Sequence, residues 1–230
     1  MYLFLLFALP ILYYIFTTLK ALQSEKSQNS VQELENTKFS KGFMFFIGTL
    51  IAIIYSFVDF FTAYAYRTAQ YNVLSNFTYF LLSMILVPMA ICALILFLLS
   101  KDSWKFKLQN FTPMIVGFYT LFLPYEVISK NSSFDYFLLF IVPILFISMI
   151  LLQEYALDLI QALLSKSIKK IAILISVCTI ILALLFPSLI YSLYYTEILT
   201  MMALILVVLF IGGTITLHIY SEKIKVFLSK

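Results

Sequence analysis

Charge is what this chain has least of. Asp, Glu, Lys and Arg make up 11% of its 230 residues, where a soluble domain carries about a quarter. Histidine occurs once, at His218, cysteine twice, at Cys92 and Cys178, and glycine five times. Each shortage removes a class of chemistry. A single histidine cannot supply paired axial ligands to a haem, and no cluster of His, Cys or Asp has the makings of a zinc centre. Cys92 and Cys178 stand inside apolar runs with no Cys-x-x-Cys spacing, so they read as small core hydrophobes. Scarce glycine leaves no phosphate-cradling loop, and no Walker, Gly-x-Gly-x-x-Gly or Gly-x-Ser-x-Gly signature occurs. Every lysine lies at a boundary or in a loop, which excludes a buried Schiff-base lysine of the retinal type. No basic tract follows a phosphate backbone, so nucleic acid is not an expected partner. No cofactor and no enzymatic activity are expected.

Apolar residues fill the space that charge leaves. The chain is 63% hydrophobic with a mean hydropathy of +1.03. A soluble fold of this length could not hide so much apolar surface in one core, whereas a bilayer accepts it on the outside of every helix. The expected class is an all-α polytopic membrane protein. Stretches of about 18 or more apolar residues read as spans, here near 2–19, 43–66, 78–100, 111–129, 135–155, 170–195 and 197–220. The first has no Lys or Arg ahead of it and no A-x-A site behind it, which suits a retained helix rather than a signal peptide. The fourth is the weakest, being short and carrying Pro113, Pro124 and Glu126. The last two are linked only by Thr196 and its neighbours and form a tight hairpin.

Lysine distribution sets the orientation. Thirteen lysines fall in 20–42, 101–112, 156–170 and the tail, whereas the alternate loops hold only Arg67 and Lys130. Seven transmembrane helices with the N-terminus outside and the C-terminus cytoplasmic satisfy this bias, in what is expected to be the plasma membrane. The segment 20–42 is expected to be a flexible cytoplasmic loop. The segment 156–170 either lies along the inner interface or continues the fifth helix. No internal repeat is evident.

Asp59 is the most informative residue. A carboxylate at mid-membrane costs about 2.5–3.5 kcal/mol on insertion scales, so it should face protein or water. Helical spacing places Thr49, Ser56, Asp59, Ala63 and Tyr66 on one face, and Arg67 two turns above is a candidate counter-charge. Glu126, in the same outer half, is close enough to the boundary to reach water by snorkelling, with Tyr119 seven residues earlier on its face. Asp59, Glu126, Arg67, Tyr66, Ser56 and Tyr119 are therefore the candidate substrate or ion site. The bland alternative is a hydrogen bond from a tyrosine or Arg67 to Asp59 that merely joins helices. Pro88, Pro124, Pro143 and Pro187 bend spans in the same half and free carbonyls there. Ten of the sixteen tyrosines, Tyr125 and Tyr191 among them, sit near the outer boundary, where an aromatic belt or a vestibule accounts for them. Gly212-Gly213 offers a close helix contact. His218 reads as interfacial, and Glu154 and Asp158 as solvated. Asn76 and Asn131 fit the glycosylation pattern in outer loops.

Two function classes follow. A small transporter or permease subunit would handle substrate in an outer-half polar cavity near Asp59. A partner-binding protein, such as a sensor, an immunity protein or an assembly factor, would use the tyrosine-rich outer loops. Besides the lipid bilayer, the expected partners are other membrane subunits or a cytoplasmic protein on the basic loops.

Overall fold

A backbone in hydrocarbon must satisfy its own N–H and C=O groups, and only a helix does so within one segment. The computed structural model describes residues 8–17, 31–63, 72–99, 104–129, 137–164, 171–196 and 199–229. Among them there is no strand. The helices are α1 (Ala8–Thr17), α2 (Val31–Ala63), α3 (Val73–Tyr79), α4 (Val87–Leu99), α5 (Trp104–Ser129), α6 (Val142–Leu164), α7 (Ile171–Tyr195) and α8 (Thr200–Ser229). A π-helical segment, Phe80–Leu86, joins α3 to α4 into one rod, and a second, Phe137–Ile141, leads into α6. Among the described residues, six helical stretches are long and apolar enough to cross a membrane: Lys41–Phe61, Val73–Leu99, Asn110–Ser129, Leu139–Leu163, Ile171–Tyr195 and Thr200–Ser221. The expected first span is represented by the shorter α1, and its remaining residues lie outside those described. Helix α2 begins at Val31, well ahead of the expected start of its span, so half of the expected 20–42 loop is helical.

Polar side chains inside these helices are largely satisfied by their own backbone. Thr120, Ser176, Thr179, Ser188, Thr214 and Thr216 each donate a hydroxyl to the carbonyl four residues earlier, at 2.7–3.0 Å. That habit costs little in lipid and leaves no stray donor. Two prolines explain the π segments. Pro88 and Pro143 each follow a π segment by two residues, in the similar contexts Tyr-Phe-Leu-Leu…Val-Pro from Tyr79 and from Tyr136. A proline ring clashes with the carbonyl four residues back, and a wider turn gives it room. The Val87 N–H accordingly reaches back five residues, to the Leu82 carbonyl.

The chain divides into two compact units. The first holds Met1–Arg67 and Cys92–Pro143, and its main contact is α2 against α5. Gly48 lies on the Met114 carbonyl and the Phe118 amide, and Gly117 lies on the Phe45 carbonyl. Any Cβ at either position would overlap backbone, so the two helices touch main chain to main chain. Contacts further along advance in the same sense on both helices, from Gly48–Met114 to Tyr55–Phe122 to Asp59–Tyr125. Helices α2 and α5 therefore run parallel. Pro113 through Thr120 are buried without interruption. This is why the expected fourth span looks weak: a helix enclosed by protein has no need of a lipid-compatible face.

The second unit holds Thr68–Ile91 and Ile144–Lys230. Ser192 donates to the Val73 carbonyl at 2.5 Å, tying α7 to α3. Tyr191 stacks on Phe80 at 4.3 Å, and Phe80 meets Phe146 at 5.8 Å. Tyr191 is thus a buried core residue rather than a member of the expected outer belt. Gln153 donates to the Met89 sulfur. Helices α7 and α8 pack together, with Phe186 stacked on Phe210 at 5.7 Å, as the short link requires. Helix α6 continues to Leu164, and Tyr155 and Leu159 pack on Ala172, so the described part of 156–170 is packed helix rather than interfacial. Cys92 is buried, but Cys178 is exposed among Leu174, Val177 and Ile181, against the expectation of a core position. Gly212 and Gly213 have open space around them, so the expected close contact is absent there and occurs instead at Gly48 and Gly117.

Candidate functional site

Helix α2 turns most of its apolar side chains outward. Ile53, Ile54, Phe57, Val58, Phe60 and Phe61 are all more than half exposed. In water such a face would aggregate, whereas in a bilayer it meets acyl chains. The opposite face carries Gly48, Ala52, Tyr55 and Asp59 toward α5. Tyr55 packs its ring edge-on against Phe122 at 5.2 Å and tilted against Phe118 at 5.6 Å. One turn on, Asp59 accepts a hydrogen bond from the Tyr125 hydroxyl at 3.2 Å.

The site is built on this aromatic platform. Phe122 stacks on Tyr125 at 6.0 Å, and Phe118 stands perpendicular to Tyr119 at 5.3 Å. Tyr55 lies within electrostatic reach of Asp59, Glu126 and Tyr125, and Tyr119 within reach of Tyr55 and Cys92. Asp59, Glu126, Tyr55 and Tyr125 thus share one end of the α2–α5 contact, and Tyr119 lies toward the Gly48–Gly117 crossing, next to Phe118. Glu126 is 2% exposed, so its side chain is enclosed by protein instead of reaching for water. Asp59 and Ser56 are half-buried. Pro124 removes the donor that would otherwise meet the Thr120 carbonyl, which adds a polar backbone group one turn below Pro124 itself.

No protein-family model, no curated protein and no solved structure matches this chain. What it does must therefore be argued from the site alone.

Of the expected site residues, the structure brings Asp59, Glu126 and Tyr119 together around Tyr55. Ser56 lines a groove on the outer side of α2. Tyr66 and Arg67 lie outside the described residues. Tyr55 and Tyr125 complete the cluster and were not singled out by the sequence reading. Tyr55 sits four residues before Asp59, and that spacing is the signal that could have found it. In the sequence Tyr125 reads as part of the boundary belt, because depth, not direction, is legible in one dimension. Beside the Asp59–Tyr125 pair runs a groove of about 580 Å³, whose polar lining is Ser56 and Tyr125 and whose other walls are apolar, Ile54, Phe57 and Leu121 among them. It is an apolar groove, not the polar cavity expected there, and no carboxylate is among its lining residues. Among the described residues no group of three or more His, Cys, Asp or Glu could hold a metal ion.

Proposed function

We propose that this is a small membrane transporter or permease subunit of the plasma membrane, not an enzyme, crossing seven times with its N-terminus outside. The reading rests on Asp59 and Glu126, two carboxylates gathered around Tyr55 between membrane-spanning helices. Acidic residues in such segments are costly and mark ion or substrate pathways. A phenol donates and a carboxylate accepts, so the Tyr125–Asp59 bond can open to release an acceptor for a cation or proton and close again afterwards. Thirteen lysines against two basic residues support the orientation. The partner-binding alternative draws on Tyr71, Asn76 and Asn131, of which Asn76 lies in α3 and the other two lie outside the described residues.

The test is flux. Proteoliposomes containing the protein are to be assayed for protons, sodium, potassium, choline and tetraethylammonium under an imposed gradient. At least one should move faster than in empty vesicles, and Asp59→Asn should remove most of that excess while the protein still inserts. If none moves, or if Asp59→Asn changes only thermal stability, the pair is a structural contact and the transport reading fails.

A further inference from the structure

Two membrane-crossing helices pass from one compact unit to the other part-way along their length. The rod Val73–Leu99 belongs to the second unit as far as Ile91 and to the first from Cys92 onward. The helical stretch 137–164 belongs to the first unit as far as Pro143 and to the second from Ile144 onward. The remaining passage, at 67–68, lies outside the described residues. Both described passages therefore run through helix, not loop, and each stands beside a proline. Pro88 is three residues short of the first, and Pro143 is the last residue before the second. A regular α-helix would make a stiff connection at either place. These helices are not regular there: Phe80–Leu86 and Phe137–Ile141 are π-helical. Proline by itself does not impose this, because Pro113, Pro124 and Pro187 stand inside helices that remain α throughout. Among the described residues, the π segments occur only at the two prolines beside a passage between units. Backbone hydrogen bonding is thinned at both. Pro88 has no N–H for the Met84 carbonyl, Pro143 has none for the Leu139 carbonyl, and the Val87 N–H reaches back to Leu82.

We propose that residues 80–88 and 137–143 are paired hinges on which the two units move as separate bodies. The proposal goes beyond the transport reading and does not depend on it, since flux is not its readout. Within the second unit, Phe80 is held by Tyr191 and Phe146, and Met89 accepts from Gln153. Those contacts anchor the first rod up to its passage and the second helix just after its own. The stretches on the far side of each passage, 92–99 and 137–143, travel with the first unit. Sharp helix kinks, of more than about 20°, occur at prolines and π-bulges, and hinge closure of domains uses a few such backbone positions. The arm 92–99 has eight residues and is about 12 Å long at 1.5 Å per residue. A change of about 20° in the bend therefore moves its far end by about 4 Å.

The experiment uses the full chain in phosphatidylcholine nanodiscs, with Cys92 and Cys178 replaced by alanine and pairs of spin labels on new cysteines. Phe57→Cys with Leu174→Cys places one label in each unit. Phe57→Cys with Ile128→Cys keeps both in the first unit, and Leu174→Cys with Leu209→Cys keeps both in the second. All four positions are exposed. Pulsed dipolar spectroscopy reads the distance distribution of each pair. The pair that joins the units should be broader than the two internal pairs by about 4 Å or more. Pro88→Ala and Pro143→Ala together restore the missing N–H groups and should narrow it to the width of the internal pairs; each alone should narrow it in part. A joining pair no broader than the internal ones overturns the proposal in the unaltered hinges, whether or not the alanine variants fold. A broad joining pair that the alanine variants leave unchanged overturns it too, because the motion then lies elsewhere in the chain.

Discussion

Two tyrosines illustrate what a hydroxyl is worth inside this protein. Tyr125 donates to the Asp59 carboxylate, whereas the Tyr155 hydroxyl is buried with no hydrogen-bond partner among the described residues. Interhelical hydrogen bonds in membranes average about 0.6 kcal/mol and reach about 1.7, and a buried unsatisfied group is costly in itself. Tyr125→Phe should therefore lower stability by about 1 kcal/mol, and Tyr155→Phe should leave it unchanged or raise it by up to about 1 kcal/mol. Unfolding by detergent titration measures both. A loss of equal size in the two variants would mean that the Tyr155 hydroxyl is as well satisfied as that of Tyr125. Sequence reasoning found Asp59 and Glu126 because charge in an apolar run is conspicuous. It points to a tyrosine bonded to Asp59 but not to Tyr125 in particular, because tyrosine is common here, with sixteen copies, and the partner is set by helix pairing.

At the scale of elements, the α2–α5 contact is the joint that makes the site. Its glycines cannot grow. Gly48→Ala or Gly117→Ala would push a methyl into the Met114 or Phe45 carbonyl and should cost about 1–3 kcal/mol, as overpacking does. Gly212→Ala is the matched control, since nothing stands near that position and alanine is the better helix former by up to about 1 kcal/mol. The glycine variants should also shift the Tyr55 and Tyr125 environments, visible as a changed near-ultraviolet dichroism, while Gly212→Ala should not. If Gly48→Ala proves as mild as Gly212→Ala, α2 and α5 do not touch along their backbones. The pair Gly212-Gly213 attracts attention in the sequence because two small residues adjoin. Gly48 and Gly117 are 69 residues apart, and only the parallel packing of their helices makes them one contact.

At the scale of the molecule, the proposed topology can be mapped with single cysteines after Cys92 and Cys178 are replaced by alanine. Tyr2→Cys and Lys130→Cys should react with a membrane-impermeant thiol reagent added outside intact cells. Lys107→Cys and Lys166→Cys should react only after the cells are opened. Protection of Tyr2→Cys together with labelling of Lys130→Cys would remove the first crossing and reduce the spans to six. The outward faces bear on the same question. Phe46, Leu98, Leu174 and Leu209 are each more than half exposed on four different helices, a distribution only an apolar solvent tolerates.

The sequence alone determined the helical, apolar class of this protein and its approximate spans. Those properties follow from transfer free energies, which add along a chain without reference to fold. It also marked Asp59 and Glu126, because burying a carboxylate is expensive wherever it occurs. Tertiary structure decided which helix is enclosed and which meets lipid, that α2 and α5 lie parallel at Gly48 and Gly117, and that Tyr55 and Tyr125 join the acids. Those are properties of direction and register between segments distant in sequence, and hydropathy, which measures depth but not direction, carries no information about them.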